Sequence, residues 1–369
     1  MASRAGRLGQ VVPFPILVVA AGACSLSPAA GRYYCGPGAD DPRCPPGWSC
    51  RSDELCWPTS EDAGPGPDAD ADAPEGVIPE SCNDVDDDGD GATDEDLWCP
   101  VPDVPTDVDL FAIWGAAEDD IWAVGDAGTV LRWDGSRWSV VDSGTALPLR
   151  GVWAGSATEA WAVGPSDTIL RWDGTAWTND SPGAGWNLYD VWGPSVDEVW
   201  AVGESGTAVR RSGGTWAETT TTAMSRLSGV WGGAPDDVLA VGDGVVRYWD
   251  GDSWNMWIVT LRTLYAVGGS AGDDVWAVGA GGLTFHRTTL DRFSDVGNTS
   301  TGADLFGVWS FSLADAWAVG AAGTVIRWDG RSWSLSDSGA TANLNGIWGA
   351  PTGELWVVGS EGLILRRRP

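Results

Sequence analysis

A run close to VWG…DDVWAVG…GTVLRWDG..W recurs seven times along this chain, and no other feature restricts its fold so tightly. The glycine that closes the AVG element stands at 125, 164, 203, 242, 279, 320 and 359, at intervals of 39, 39, 39, 37, 41 and 39 residues. A period near 40 residues marks one small structural unit that cannot cover its own apolar faces and must stack on its neighbours. The leading Trp of the unit recurs at 114, 153, 192, 231, 309 and 348, and the fifth copy has Gly268 in its place.

The interior of one copy defines the unit. Leu110–Trp114, Ile121–Val124, Thr129–Trp133 and Trp138–Val141 are short, rich in Val, Ile, Leu and Trp, and bounded by Gly, Asp and Ser. Runs of this length suit strands and are too short for helices. Asp134-Gly135, Asp173-Gly174, Asp250-Gly251 and Asp329-Gly330 supply hairpin turns, where Gly tolerates positive φ. Four antiparallel strands per unit predict an all-β chain with a seven-bladed β-propeller of four-stranded blades over residues 96–369. The seventh copy stops after its third strand. Trp138, Trp177, Trp216 and Trp333 each precede the next leading Trp by 15 residues, and Trp98 precedes Trp114 by 16. Leu97–Val104 is therefore expected to supply the missing outer strand and fasten the ring.

The region before the repeats divides by composition. Residues 1–23 read as a signal peptide, with Arg4 and Arg7 ahead of an apolar stretch too short to span a bilayer. The run ending Ala21-Gly22-Ala23-Cys24 fits signal-peptidase cleavage and also resembles a bacterial lipobox, which makes Cys24 the candidate lipidation site. Assigning Cys24 to a lipid leaves Cys35, Cys44, Cys50, Cys56, Cys82 and Cys99, an even number suited to disulfides in an oxidising compartment. Residues 24–60 form a small disulfide-rich segment whose pairing the spacing does not fix. Residues 61–80, acidic and rich in Pro, Gly and Ala, read as a disordered linker.

Residues 81–99 hold the densest charge. Asp84, Asp86, Asp88, Gly89 and Glu95 fit the calcium-loop pattern D-x-D-x-D-G-x5-E, and Asp86, Asp88, Asp90 and Asp94 give a second register. Alternating carboxylates around a glycine turn wrap oxygen ligands about a hard cation, so Ca2+ is the expected, structural cofactor. The net charge of −31, with every basic residue an Arg, excludes nucleic acid as a partner. The segment Cys82–Cys99 resembles the MopE-type motif of bacterial surface proteins, with Asp84 and Gly89 where that motif has Gly and an inner Cys.

The repeat itself, on Asp274–Gly279, Gly128–Gly135 and Gly323–Gly330, resembles BNR/Asp-box propellers, the photosystem II assembly and stability factor and tectonin-type lectins. The resemblance implies architecture; these propellers host unrelated functions. The expected function is an exported, lipid-anchored surface protein of a bacterium, monomeric, whose propeller is a non-catalytic scaffold for a protein or glycan ligand. Secretion without an anchor is the alternative location. A lectin is the alternative function, and a glycan-cleaving hydrolase a weaker one. Glu218–Arg226 and Thr288–Gly302 depart from the repeat and would carry specificity. Trp186 and Trp257 lie outside the repeat pattern and are candidates for ligand stacking. The other Trp residues recur at fixed strand positions and are expected to pack between blades. His286, the only histidine, reads as a strand residue. Arg132, Arg171, Arg210, Arg327 and Arg366 share one third-strand position and read as structural ion-pair partners. Asp119-Asp120, Asp236-Asp237 and Asp273-Asp274 are expected to cap turns.

Overall fold

The computed structural model describes Cys82 and residues 96–369 apart from 290, 291, 298 and 300, and the backbone of four short strands before them. Those short strands pair as two hairpins, Ser25–Leu26 with Tyr33–Tyr34 and Trp48–Cys50 with Cys56–Pro58, in a unit spanning Met1–Pro79. The second unit, Glu80–Pro369, carries the repeats.

Each regular repeat folds as an antiparallel meander. The first runs Leu110–Ala117, Asp120–Gly125, Val130–Trp133 and Trp138–Val140, with neighbours in chain order hydrogen-bonded. The second, third and sixth repeats follow the same plan. The AVG glycine is fixed by close approach: a Cβ on Gly125 would lie 2.2 Å from the Asp109 carbonyl oxygen. The glycines of the Asp-Gly turns have φ between 89° and 96°, as those turns require.

Seven repeats do not make seven separate blades. The expectation of a seven-bladed propeller with four-stranded blades is corrected by the sheet topology. The repeats form six sheets, five of four strands and one of six. The six-stranded sheet holds the fourth and fifth repeats: Leu227–Ala234, Asp237–Trp249, Trp254–Ala271, Asp274–Gly279, Thr284–Thr289 and Arg292–Asp295. In the fourth repeat a tight turn at Gly244 (φ 76°) makes Asp237–Trp249 one long element. Trp254–Ala271 then pairs with Asp237–Trp249 along its first part and with Asp274–Gly279 along its second. The stretch that elsewhere leaves one sheet as a loop before entering the next continues here as strand, within Trp254–Ala271.

The ring closes as the Trp spacing predicts. Cys99–Pro100 is the outer strand of the last sheet, after Leu344–Gly349, Leu355–Gly359 and Ile364–Arg367, with Arg366 opposite Cys99. Trp98 is buried, packs edge-on against Trp317 at 5.6 Å and donates its indole N–H to Ser336 at 3.2 Å. Arg367 pairs with Asp96. Cys82 is disulfide-bonded to Cys99.

Tryptophan fills the wedges between sheets. The second-strand Trp122 meets Trp172 and Trp177 of the next sheet at 5.0 and 5.2 Å; Trp200, Trp276 and Trp356 meet the equivalent pairs. Third-strand arginines lie over the same rings, with Arg132 4.8 Å from the Trp122 centroid. Each is paired with the carboxylate at or immediately before the start of the second strand: Arg132 with Asp120, Arg171 with Glu159, Arg210 with Glu198, Arg327 with Asp315 and Arg366 with Glu354. Asp120, Asp237 and Asp274 are thus buried ion-pair or hydrogen-bond partners, not turn caps. Where a third strand has Arg in place of its Trp, at 211, 287 and 367, a carboxylate accompanies it: Asp180, Asp237 and Asp96.

Candidate ligand site in the central channel

The innermost stretch of every repeat is entered through a fully buried Leu: 110, 149, 188, 227, 264, 305 and 344. From there each strand runs down the channel, so successive residues form successive layers. The layer after the Leu is Phe111, Arg150, Tyr189, Ser228, Tyr265, Phe306 and Asn345, all of which line a channel cavity of about 190 Å3. None of these seven is fully buried. The third layer is uniformly β-branched: Ile113, Val152, Val191, Val230, Val267, Val308 and Ile347. Trp114, Trp192, Trp231 and Trp309 line the far end, together with Gly268.

The second layer reads Ala112, Gly151, Asp190, Gly229, Ala266, Gly307 and Gly346. Small residues are imposed by crowding, since a Cβ on Gly229 would lie 3.2 Å from the Ala266 Cα and one on Gly346 3.2 Å from the Ala112 Cα. Asp190 breaks the layer. Its carboxylate accepts N–H bonds from Val230 across the gap to the next repeat, at 2.8 Å, and from Val191, at 2.9 Å. Asp190 is half-buried in the channel wall. Burial raises its pKa to about 7, opposed only by those two N–H bonds. Among the described residues no arginine or histidine forms an ion pair with it.

The mouth layer is aromatic and partly self-satisfied. The Arg150 guanidinium lies 4.3 Å from the Phe111 centroid, and Arg226 5.5 Å from that of Tyr189. Tyr189 donates to Glu204 at 3.0 Å. Tyr265 and Phe306 meet edge to face at 5.5 Å. Burial raises the Tyr189 and Tyr265 hydroxyl pKa values, and their carboxylate neighbours Glu204 and Asp304 reinforce the shift. A second opening, about 860 Å3, lies near the far ends of the first and last repeats. Trp114, Trp309 and Trp348 line it with Glu118, Asp119, Glu354 and Arg366, and the buried Trp309 indole N–H has no hydrogen-bond partner among the described residues.

Only some of the candidates named from sequence are among the described residues. Asp84, Asp86, Asp88, Asp90, Asp94 and Glu95 lie outside the described residues, as do Cys24, Cys35 and Cys44. Cys50 and Cys56 are described only as directly opposed backbone positions of one hairpin. Trp186 is partly buried, and its carbonyl accepts the Asp167 N–H at 2.6 Å. Trp257 lies against Tyr248, Phe293 and the Arg287 guanidinium, at 5.1, 6.0 and 5.0 Å. His286 is buried, stacks on Trp276 at 3.7 Å and bonds Asp274 at 2.8 Å. The channel residues escaped the sequence reading, although one signal was present. The position after the buried Leu varies among the copies while its neighbours are nearly invariant.

No family model matches the chain, and no curated protein matches it. Solved structures do. The structure of YCF48 bound to a D1 peptide superposes with a TM-score of 0.61 at 18% identity, over 75% of this chain and 97% of that one. YCF48 from Cyanidioschyzon merolae gives 0.61 at 22% identity, over 74% and 99%. A streptogramin B lyase gives 0.63 at 13% identity, over 72% and 94%. At these identities the likeness establishes the β-propeller fold and leaves the activity to be argued from the site.

Proposed function

We propose that the repeat domain is a non-catalytic binding scaffold whose ligand, a segment of another protein, docks at the channel mouth. One observation carries this reading. The repeats agree wherever packing governs, in the Leu layer, the β-branched layer and the AVG glycine. They diverge to Phe, Arg, Tyr, Ser, Tyr, Phe and Asn at the one layer that faces the mouth. Packing explains uniformity; it gives no reason for four aromatic rings at an open position, where rigid aromatics favour recognition. A propeller of this fold, YCF48, is known bound to a peptide.

Support for a non-catalytic role comes from His286, closed under Trp276 and held by Asp274, and from the five third-strand arginines, each spent on a separate ion pair. In this reading the chain is exported, tethered at the cell surface through Cys24 and projected by the linker. The acidic loop, closed by Cys82–Cys99, holds Ca2+. The test is a pull-down from intact cell surfaces with wild-type protein and with the double variant Tyr265→Ala/Phe306→Ala. Loss of a captured protein from the variant, at unchanged melting temperature, supports the mouth; equal capture by both overturns it.

A second reading is a lectin. It is favoured by the Trp114–Trp309–Trp348 opening, where the half-buried Trp114 and Trp309 stand with Glu118 and Asp119. Glycan-array binding that Trp114→Ala abolishes and the mouth variant leaves intact would select it.

A further inference from the structure

We propose that the channel is a receptor for a protonated alkyl amine, the chemistry of a lysine side chain, with the Asp190 carboxylate as its counter-charge. The inference rests on the mouth reading and adds the class of group that enters.

Three features of the channel match the three parts of such a group. The aromatic mouth, with Tyr265 and Phe306 in contact, offers ring faces that attract a passing cation. The layer below Asp190 is a collar of Val and Ile side chains, which suits an alkyl stem and offers no side-chain hydrogen bond. The cavity volume of about 190 Å3 corresponds to roughly six water molecules at about 30 Å3 each, the scale of a short alkylammonium chain.

Asp190 is the part that packing does not explain. Four repeats have Gly at its position and two have Ala, so the ring is built without a carboxylate there. Two backbone N–H bonds leave lone pairs of a carboxylate free on the channel side. Burial outweighs those two bonds and raises its pKa to about 7. An entering ammonium would supply the missing partner and draw the carboxylate into its charged form. The nearby guanidiniums do not fill that role: Arg150 rests on Phe111 and Arg226 pairs with Asp243 at 3.1 Å. The net charge of −31 concentrates cations at the surface, while Arg150 at the mouth would favour an anion if it governed entry.

The probes are n-pentylammonium, 1-pentanol and pentanoate, alike in size and different in charge. Binding to the full chain is measured by calorimetry at about pH 8, where Asp190 is ionised, and at high salt to screen the acidic surface. The expected result is saturable binding of pentylammonium that Asp190→Asn and Asp190→Gly weaken by about 10- to 100-fold, with pentanol unchanged. The Gly variant restores what four other repeats carry and guards against misfolding. Equal pentylammonium binding by wild type and both variants, or preferred pentanoate, overturns the proposal. Protein capture that depends on Tyr265 and Phe306 but not on Asp190 would sink this inference alone; capture independent of both would sink the mouth reading itself.

Discussion

At the scale of single residues, the informative positions are those where one repeat departs from its siblings. Asp190 is such a departure, and its cost has a sign. Its pKa rises from 3.8 in the unfolded chain to about 7 in the ring, so the folded state holds the extra proton between those values. Stability contributed by this group therefore falls as pH rises from about 4 to 7. Asp190→Gly should flatten that dependence and stabilise the protein at about pH 8 by about 1–2 kcal/mol. That is well under the roughly 4 kcal/mol the full displacement represents, because Asp190 is only half-buried by its exposure. Urea titrations of both proteins at about pH 5 and 8 would show it; parallel curves would refute it. Arg287 is another departure. Fully buried, it pairs at 2.6 Å with Asp237 of the preceding repeat, because Tyr248 occupies the place where other repeats have the arginine. Arg287→Met should leave Asp237 without its guanidinium and cost about 3–5 kcal/mol, read as a drop in the urea midpoint. The sequence made the paired arginines legible, since they recur. It hid Asp190 and Arg287, whose meaning depends on what the neighbouring repeat brings alongside. It also hid a latch in which Ser143, Thr221, Thr299 and Ser338 donate to the carbonyls of Gly128, Gly206, Gly282 and Gly323 at 2.6–3.0 Å. That pattern has its own spacing, but the flanking residues differ from copy to copy.

Among the elements, strand length and turn type decide how many sheets the repeats make. Four short runs per copy were legible because alternating apolar residues and Asp-Gly turns announce them. The merging of the fourth and fifth repeats was not, since a sheet ends where a loop interrupts it and Trp254–Ala271 meets no such interruption. A loop inserted after Val259, of the kind that follows Val140 in the first repeat, should divide this sheet. Protection of the Val259–Leu264 amides from hydrogen exchange would then fall, while that of Asp274–Gly279 would not. The closing strand is the opposite case, where spacing alone placed it. Cys99–Pro100 is only two residues long, so its hold depends on Trp98, Arg367 and the Cys82 disulfide. Trp98→Ala should cost about 3–5 kcal/mol. Reduction of Cys82–Cys99 should cost about 3 kcal/mol by the loop-entropy argument, and differential scanning calorimetry would report both. A melting temperature unmoved by either change would show that the strand does not fasten the ring.

For the molecule as a whole, the packing of indoles between sheets makes a rigid frame, and a rigid frame suits presentation of varied side chains at one mouth. The all-β propeller was open to reading because repetition multiplies a weak signal seven times; the number of its sheets was not. The ligand site was not, because it lies where repetition fails. If the acidic loop binds Ca2+, adding the ion should raise the melting temperature of the wild-type chain, and Asp86→Asn/Asp88→Asn should abolish the rise. An equal rise in both would place the effect elsewhere on the acidic surface. The union of Asp96 with Arg367, 271 residues apart, has one further result. During synthesis the first sheets can assemble in turn, yet the circle stays ajar until residues 364–367 exist to receive their partner. A product broken off earlier keeps an unmet edge and an uncovered Trp98, a visible mark by which a protease could tell an unfinished copy from a finished one.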